Sequence, residues 1–219
     1  MKLTIISLEG DRMNTKEKIL TSALELFSVR GYEDTSVADI AKAVGIKAPS
    51  LYKHYGSKQE IFSAILRKID EQYQQQASML QLDGKLPETD AAKYQGVSEE
   101  SLFSMVLQMF RFFLLDPYAA KCRKMLMLEQ YKNAEAAELY KKQYFEGPLA
   151  YQRDLFHRLI QREMLENADS ETLALQFYAP IFMLLQLCDV NPQKIPEAEE
   201  MLRRHIIAFY RAHKWEAGK

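Results

Sequence analysis

The stretch at residues 36–55, SVADIAKAVGIKAPSLYKHY, decides the fold of the N-terminal part of the chain. In its first part, residues 37–44, the apolar side chains are spaced so that they share one face of a short helix. Ser36 and Asp39 have the spacing of a capping box at the start of that helix, and Gly45 lies where a helix end favours positive φ. A second short helix is predicted directly after the turn. Two short helices joined by a tight glycine-containing turn predict a helix-turn-helix, whose second helix can enter a major groove of DNA.

The second predicted helix and its flanks carry side chains that suit a contact with DNA. Cationic and hydroxyl groups bind phosphates, whereas the apolar groups of Ala48 and Pro49 can meet thymine methyl groups. The residues predicted on these grounds to contact DNA are Lys47, Ala48, Pro49, Ser50, Tyr52, Lys53, His54 and Lys58. The alternative is a surface helical hairpin whose lysines are simply solvated.

Helical periodicity continues on both sides of this stretch. A helix is predicted between Asn14, which can cap it, and Gly31, which ends it, and its buried stripe comprises Ile19, Leu20, Ala23, Leu24 and Phe27. Ser57 and Glu60 form a second capping-box pattern, and the helix that follows is predicted to continue to about residue 79. At roughly 1.5 Å per residue that helix is over about 30 Å long, so we expect it to link the DNA-binding core to a second domain.

A recognisable pattern runs from residue 15 to about residue 64. The residues that carry it are Ile19, Ala23, Leu26, Phe27, Gly31, Tyr32, Thr35, Ile40, Ala41, Val44, Gly45, Leu51, Tyr52, His54, Tyr55, Lys58 and Leu66. With these residues the chain resembles the DNA-binding domain of the tetracycline-repressor (TetR/AcrR) family of bacterial transcription regulators. The resemblance implies that Ser36 and Val37 also touch the DNA backbone and that His54 contacts a phosphate. Family members often carry a polar or basic residue where this chain has Ala38 and Ala48, so we expect sparse hydrogen bonding to bases and more weight on DNA shape.

The composition argues against several other kinds of protein. The chain has 219 residues and a formal net charge of −1, so any attraction to nucleic acid must come from local patches. Its two cysteines, Cys122 and Cys188, lie far apart, which argues against a zinc site and against a disulfide framework. The four histidines lack metal-ligand spacing, and the sequence contains no nucleophile or nucleotide-binding motif. We therefore expect no metal, no cofactor and no enzymatic activity.

Beyond residue 80 the periodicity remains helical. A loop is predicted over residues 81–96, and both Asp116-Pro117 and Gly147-Pro148 are predicted to break helices. Helices are predicted over residues 99–115, 119–131, 134–145, 148–166, 170–189 and 197–213, with a kink at Pro180. The predicted fold is all-α, with an N-terminal three-helix helix-turn-helix domain and a C-terminal helical ligand-binding and dimerisation domain. The predicted divisions are an arm at 1–13, the DNA-binding domain at 14–60 and the effector-binding and dimerisation domain at 61–219.

No membrane partner is predicted. No apolar run reaches the roughly 18 residues that span a bilayer, and residues 1–12 contain no small-residue cleavage site of a signal peptide. Those residues are predicted to be either a disordered arm or an extension from an upstream start codon. The expected location of the protein is the cytoplasm.

The segment at 173–188 is more apolar than one buried face of a monomer requires. With the last helix it could form a self-complementary patch that is buried across a two-fold axis, although simple burial within the monomer is the alternative. The resemblance implies a homodimer through the last two helices, which form a four-helix interface in this family. A dimer would hold two recognition helices at a fixed spacing that suits palindromic, double-stranded operator DNA.

Methionine and aromatic residues are frequent between residues 105 and 182. Such side chains line adaptable apolar pockets, but each of them is also an ordinary core residue. The resemblance implies an unknown small-molecule effector in this region, and the candidate contacts are Met105, Met109, Phe113, Met127, Tyr131, Tyr144, Tyr151, Phe177, Tyr178 and Phe182. The predicted function is an effector-responsive repressor whose operator affinity falls when the ligand binds. The alternatives are a small-molecule-binding or protein-interaction helical module without regulatory DNA binding, and an architectural DNA binder without an effector.

Overall fold

The computed structural model describes residues 14–213, and every regular element in that range is a helix, which confirms the predicted all-α fold. The predicted arm at residues 1–13 lies outside the described residues. The elements in chain order are α1 (Thr15–Arg30), α2 (Val37–Val44), α3 (Ala48–Tyr52), α4 (Lys58–Met79), α5 (Pro87–Asp90), a 3₁₀ turn (Ala91–Tyr94), α6 (Glu99–Leu115), α7 (Pro117–Glu129), α8 (Ala134–Lys141), a π-helical turn (Lys142–Glu146), α9 (Gly147–Gln161), α10 (Ser170–Val190), a second 3₁₀ turn (Pro192–Lys194) and α11 (Ile195–Ala212).

These elements form two compact units. The first unit takes in the described chain up to Asp70 together with Lys121–Ala137. The second unit takes in Glu71–Ala120 and the chain from Glu138 onward. The boundary predicted at residue 60 therefore falls within α4, and the first unit also contains most of α7, which the sequence division assigned to the second domain.

The core of the first unit is built from one face of each of its helices. Its fully buried side chains include Ile19, Ala23, Phe27, Ile40, Leu51, Ile61 and Ile65. The ring of Tyr32 packs against Phe27 and Phe62, with ring centroids 5.3 and 5.0 Å apart. Burying one large apolar side chain contributes roughly 1.5–3 kcal/mol relative to leaving it exposed. Helices as short as α2 and α3 are not stable alone, so this core is what holds them in place.

Helix α7 adds a further buried stripe to the first unit. Cys122, Met125, Leu126 and Glu129 follow the i, i+3, i+4, i+7 spacing, and each is at most 1% exposed. Cys122 and Cys188 are both buried, and neither belongs to a disulfide. Burial raises the pKa of the Cys122 thiol to about 12, so it remains a protonated core residue at neutral pH. Glu129, at the last position of the stripe, however, has a carboxylate where the spacing predicts an apolar side chain.

The core of the second unit is rich in aromatic side chains. Phe156 of α9, Phe177 of α10 and Phe209 of α11 meet one another with centroid separations of 5.1 to 5.5 Å. Leu102 and Phe110 of α6 are buried in the same cluster. The helices of this unit therefore converge on one hydrophobic centre, as the amphipathic periodicity predicts.

The segment predicted as a loop at 81–96 contains α5 and a 3₁₀ turn, so that prediction is wrong in part. The reason is the buried carboxylate of Asp90, which accepts the N–H of Asp83 at 2.6 Å and the N–H of Gly84 at 2.8 Å. The hydroxyl of Tyr151 donates to the same carboxylate at 2.6 Å. These three bonds satisfy a buried charged group and fix a segment whose sequence has no helical periodicity.

The predicted break at Gly147-Pro148 is also wrong, because the chain continues from α8 through the π-helical turn into α9. The Gly147 N–H donates to the carbonyl of Lys142, which is the i→i+5 bond of a π turn. Pro148 has no N–H to give to the carbonyl of Tyr144. The Tyr178 hydroxyl donates to that carbonyl at 3.0 Å instead, so the wide turn and a side chain from α10 replace the missing bond. Helix α9 then ends at Gln161, before the predicted residue 166.

Within the described residues, α10 is long and apolar enough to cross a membrane when only length and composition are counted. Only 39% of its most apolar stretch is buried within the described part of the chain. Its charged residues, Glu171 and Asp189, lie near its two ends, and Gln176 and Gln186 interrupt the apolar sequence between them, so the helix is not one continuous apolar run. One face of α10, which includes Phe177, Leu184 and Cys188, lies in the core of the second unit.

Candidate DNA-contacting surface

Helix α2 is fixed at both ends by its own sequence. Ser36 Oγ accepts the N–H of Asp39 at 3.1 Å, and the Asp39 carboxylate accepts the N–H of Ser36 at 2.9 Å, which is the predicted capping box. The hydrogen bond from the Ser36 hydroxyl lowers the pKa of Asp39. Gly45 ends the helix in the left-handed conformation, with φ 79° and ψ 27°, and donates its N–H to the carbonyls of Ala41 and Lys42. These caps set the direction in which the chain leaves α2 towards α3.

Helix α3 is a short segment held by two buried side chains. Leu51 is fully buried and Tyr55 is nearly so, and the N–H of Tyr55 donates to the carbonyl of Leu51 at 3.1 Å. Pro49 lies in the first turn, where a helix needs no N–H. Tyr52, by contrast, is 51% exposed, so the remaining surface of α3 is available to a partner.

The residues predicted to contact DNA all have at least partial access to solvent. Those that are exposed are Ser36, Lys47, Pro49, Tyr52, Lys53 and His54, and those that are half-buried are Val37, Ala48, Ser50 and Lys58. Ser36 and Val37 lie at the N-terminal end of α2, where free N–H groups and the helix dipole favour a phosphate. The structure brings the required chemistry to one accessible segment, and the individual DNA contacts stay predictions.

Lys58 has structural partners that the sequence does not reveal. Its Nζ donates to the carbonyl of Tyr32 at 2.8 Å and lies 4.1 Å from the centre of the Tyr32 ring. The Tyr32 hydroxyl donates to Oε1 of Gln59 at 2.8 Å. Lys58 therefore ties the start of α4 to the loop between α1 and α2. An ammonium group has three donors, so this role is compatible with the predicted phosphate contact.

The start of α4 is capped by two further side chains. Ser57 Oγ accepts the N–H of Glu60 at 3.0 Å, as the capping pattern predicts. The Glu60 carboxylate accepts the N–H of Gly56 at 2.7 Å, immediately after the segment that carries α3. The geometry of the turn between α3 and α4 is thus held by hydrogen bonds from both sides of it.

Sequence reasoning missed one residue that holds this region from outside the helix-turn-helix. Glu129 Oε1 accepts the backbone N–H of Tyr32 at 2.8 Å, although 97 positions separate the two residues. The sequence does contain a signal for it, because Glu129 continues the apolar stripe of Cys122, Met125 and Leu126. A carboxylate at an apolar stripe position indicates either a buried partner or an exposed end of the helix, and only the structure decides between them.

Four of the predicted effector residues take part in a chain of ring contacts in the second unit. The contacts and centroid distances are Tyr73–Phe113 (6.0 Å), Phe113–Tyr144 (6.5 Å), Tyr140–Tyr144 (5.2 Å), Tyr140–Phe145 (5.5 Å), Phe145–Phe182 (4.9 Å) and Tyr178–Phe182 (6.2 Å). Two of these residues, Tyr144 and Phe145, lie in the π-helical turn. Turns of this kind occur often at functional sites. We refer to these seven aromatic residues as the ring chain.

The other predicted effector residues are placed differently. Phe177 packs in the core, Tyr151 is bonded to Asp90, and Met105 and Met109 are half-buried on α6. Met127 and Tyr131 belong to the first unit, where α7 ends, and Tyr131 is 88% exposed. A ring this exposed does not line an enclosed pocket in the described part of the chain, and an effector role for Met127 and Tyr131 stays a prediction.

A surface cleft of about 300 Å³ lies elsewhere on the second unit. It is lined by Pro87, Glu88, Asp154, His157 and Arg158. Arg158 and Glu88 form an ion pair across it, with Nη2 and Oε2 2.8 Å apart. None of the predicted effector residues lines this cleft.

Three sequence comparisons match part of this chain. Residues 19–65 match the profile of the family described as bacterial regulatory proteins, tetR family. The biofilm operon icaADBC HTH-type negative transcriptional regulator IcaR of Staphylococcus epidermidis is 51% identical over 47 residues, which are 22% of this chain and 25% of IcaR. The HTH-type transcriptional regulator YdgC of Bacillus subtilis, described as uncharacterized, is 28% identical over 131 residues, which are 58% of this chain and 67% of YdgC. The stretch shared with IcaR therefore spans a quarter of that relative.

A comparison of folds extends over most of the chain. The structure of the SmeT–triclosan complex superposes with a TM-score of 0.69 and covers 91% of each chain at 17% sequence identity. SmeT is described as the repressor of the Stenotrophomonas maltophilia multidrug efflux pump SmeDEF. At this level of identity the likeness is one of fold. It agrees with the predicted arrangement of an N-terminal helix-turn-helix and a helical C-terminal part.

Proposed function

Because this chain belongs to the tetR family of bacterial regulatory proteins, we propose that it is a homodimeric transcription repressor that binds operator DNA through α3 and releases it when a small molecule binds the second unit. The observation that carries the proposal is the accessible helix α3, flanked by the exposed Lys47 and Lys53, within a capped helix-turn-helix. That helix lies in the stretch matched by the family profile. A relative that is 51% identical over 47 residues is named a negative transcriptional regulator.

The proposed contact with DNA follows from how α3 is held. Leu51 anchors the helix in the core, so the exposed side chains can enter a major groove without loss of packing. Lys47 and Lys53 are exposed and would neutralise phosphates, while Ala48 and Pro49 would meet thymine methyl groups. Because few side chains of α3 can read base edges by hydrogen bonds, part of the specificity would come from DNA shape.

The proposed dimer interface is the exposed face of α10. Leu175, Ala179, Met183 and Leu187 are exposed at a spacing of four residues, and Val190 continues the row at the end of the helix. Such a row is a ridge that can pack into the groove of a second helix. Two copies related by a two-fold axis would bury the same residues on both sides, together with α11, and would present two α3 helices to a palindromic operator.

The proposed effector site is the ring chain in the second unit. Phe113, Tyr178 and Phe182 are half-buried around the buried Tyr144, so their rings offer apolar surface with hydroxyl groups at its edge. An apolar or aromatic small molecule suits such a surface. SmeT, which shares the fold, has been solved with triclosan. Coupling between an effector and DNA is typically about 1–3 kcal/mol. Helix α4 begins in the first unit and ends in the second.

Binding to DNA from the region upstream of the protein's own gene tests the proposal. Tyr52→Ala and Lys53→Ala should each weaken binding by about tenfold, because each removes a contact worth about 1–3 kcal/mol. Lys53→Ala should also make the association constant for DNA less dependent on salt. The slope of its logarithm against the logarithm of the salt concentration should become shallower by about 0.9 per lost phosphate contact, hence by roughly two for a dimer. The measurement is fluorescence anisotropy with labelled DNA at several salt concentrations.

Lys93→Ala is the matched control, since Lys93 is an exposed lysine of the second unit. Its affinity and salt slope should equal those of the wild type. Unchanged affinity in both the Tyr52 and the Lys53 variants would contradict the assigned role of α3.

A further inference from the structure

Glu129, the last residue of α7, is a buried carboxylate that lies against the loop between α1 and α2. Its side chain is 1% exposed, and its Oε1 accepts the N–H of Tyr32 at 2.8 Å. Its Oε2 is buried and has no hydrogen-bond partner among the described residues. Burying a carboxylate with one unsatisfied oxygen is unfavourable compared with an apolar side chain of similar size. Packing alone therefore does not explain a glutamate at this position.

The loop is shaped to receive this carboxylate. Gly31 has φ 92° and ψ 162°, a region that is essentially restricted to glycine. A Cβ atom on Gly31 would lie 2.4 Å from Glu129 Oε1, so only a residue without a side chain leaves room for the bond. Thr35 is fully buried and its Oγ1 donates to the carbonyl of Gly31 at 2.8 Å, which holds the same peptide from the other side.

Tyr32 links Glu129 to the start of α4, the segment that follows the recognition helix α3. Its carbonyl accepts from Lys58 Nζ at 2.8 Å, and its hydroxyl donates to Gln59 Oε1 at 2.8 Å. Its ring packs against Phe62, one turn further along α4. A displacement of the Tyr32 backbone would therefore shift the first turn of α4, which begins six residues after α3 ends.

We propose that Glu129 is a positioning residue for DNA binding. By holding the Tyr32 backbone it fixes the first turn of α4, and hence the position and orientation of α3. The inference rests on the proposed function, because it assumes that α3 contacts DNA. Operator affinity would then depend on Glu129, a residue outside the helix-turn-helix, as well as on the residues of the helix-turn-helix itself. Helix α7 itself begins at Pro117 in the second unit and ends at Glu129 in the first.

Two ion pairs accompany the buried bond between the same elements. Lys121 pairs with Glu25, and Lys132 Nζ lies 3.5 Å from Asp34 Oδ2. All four side chains are substantially exposed, so these pairs are screened by solvent and contribute little. Lys121→Ala therefore provides a matched control that changes α7 without touching the buried carboxylate.

The test compares Glu129→Gln, which retains an acceptor oxygen, with Glu129→Met, which retains the length but no acceptor. Three quantities are measured: affinity for DNA from upstream of the protein's own gene, melting temperature, and amide hydrogen exchange at Tyr32. Glu129→Met should bind DNA at least tenfold more weakly, exchange the Tyr32 amide faster, and melt close to the wild-type temperature, because removing a half-satisfied buried carboxylate offsets the lost acceptor of the Tyr32 N–H. Glu129→Gln should stay within threefold of the wild type, and Lys121→Ala should match the wild type in all three measurements.

A purely structural role would lower the melting temperature and the DNA affinity together, and that result would overturn the proposal. Wild-type affinity in Glu129→Met, or an unchanged Tyr32 amide, would overturn it as well. If Glu129→Met does not fold, Tyr32→Phe serves instead: it removes only the hydroxyl that reaches Gln59, and it should bind DNA at least threefold more weakly. A wild-type chain that bound no upstream DNA would overturn the proposed function alone, since faster Tyr32 exchange in Glu129→Met would still show that Glu129 holds the Tyr32 backbone.

Discussion

At the scale of single residues, Gly31 is where backbone conformation and packing constrain the sequence most tightly. Its φ and ψ fall in a region that costs other residues of order 1–3 kcal/mol, and an added Cβ would also overlap Glu129. Gly45 provides the contrast. It too has positive φ, in the left-handed helical region, but a Cβ at Gly45 would meet no atom within 4 Å. The first glycine is required by a neighbouring side chain as well as by the backbone, and the second by the backbone alone.

Gly31→Ala should therefore destabilise the protein more than Gly45→Ala does. We expect Gly45→Ala to cost about 1–2 kcal/mol for the left-handed conformation, and Gly31→Ala to cost at least about 1 kcal/mol more because Glu129 must also move. Urea unfolding followed by circular dichroism measures both free energies of unfolding. Equal decreases in the free energy of unfolding of the two variants would show that the Glu129 side chain moves away from the added Cβ without energetic cost.

At the scale of helices, the capping box of α2 couples the stability of that helix to pH. The Ser36 hydrogen bonds lower the pKa of Asp39 below its ordinary value of 3.8. A carboxyl whose pKa is lowered in the folded state stabilises the fold above its ordinary pKa, and the stabilisation is lost as the pH falls through the lower, folded-state value. The cap is therefore fully formed at neutral pH and is lost only in strong acid.

Ser36→Ala should move the pKa of Asp39 upward, towards 3.8, because it removes the largest cause of the shift. A carbon-detected NMR titration of the carboxyl groups measures this directly. Asp169, whose pKa is lowered by the side chain of Thr172 at the start of α10, is an internal control and should not change. An Asp39 titration that is the same in both proteins would contradict the assigned cause.

The helices also show what sequence patterns can predict and what they cannot. The caps of α1 and α2, the buried stripe of α1, and the exposure of Tyr52 and Lys53 follow from local spacing and turn chemistry, and the structure agrees with each. The helix break predicted at Gly147-Pro148 does not occur. Pro148 cannot donate a hydrogen bond to the Tyr144 carbonyl, and the hydroxyl of Tyr178, 30 positions after Pro148, donates to it instead. The buried carboxylate of Glu129 likewise finds its partner, the Tyr32 N–H, 97 positions away. Local patterns do not encode such long-range partners.

At the scale of the whole molecule, the exposed face of α10 is the feature that a single chain leaves unexplained. Its apolar row includes Met183, which is 54% exposed, and Leu175, which is 56% exposed. The same helix has the composition of a membrane span. Pairing with a second copy would bury this row without a membrane, and it would explain why the apolar character of α10 extends around the helix instead of along one stripe.

Met183→Glu should convert the dimer to a monomer, because a two-fold interface places the two introduced carboxylates close together in an apolar contact. Analytical ultracentrifugation over a range of protein concentrations measures the mass directly. Leu86→Glu is the control, since Leu86 is also more than half exposed but lies outside α10, and it should remain dimeric. The monomeric variant should also lose most of its operator affinity, because each half-site then binds independently. If Met183→Glu has the mass of a dimer, the interface lies elsewhere on the molecule and the exposed row of α10 must have another partner.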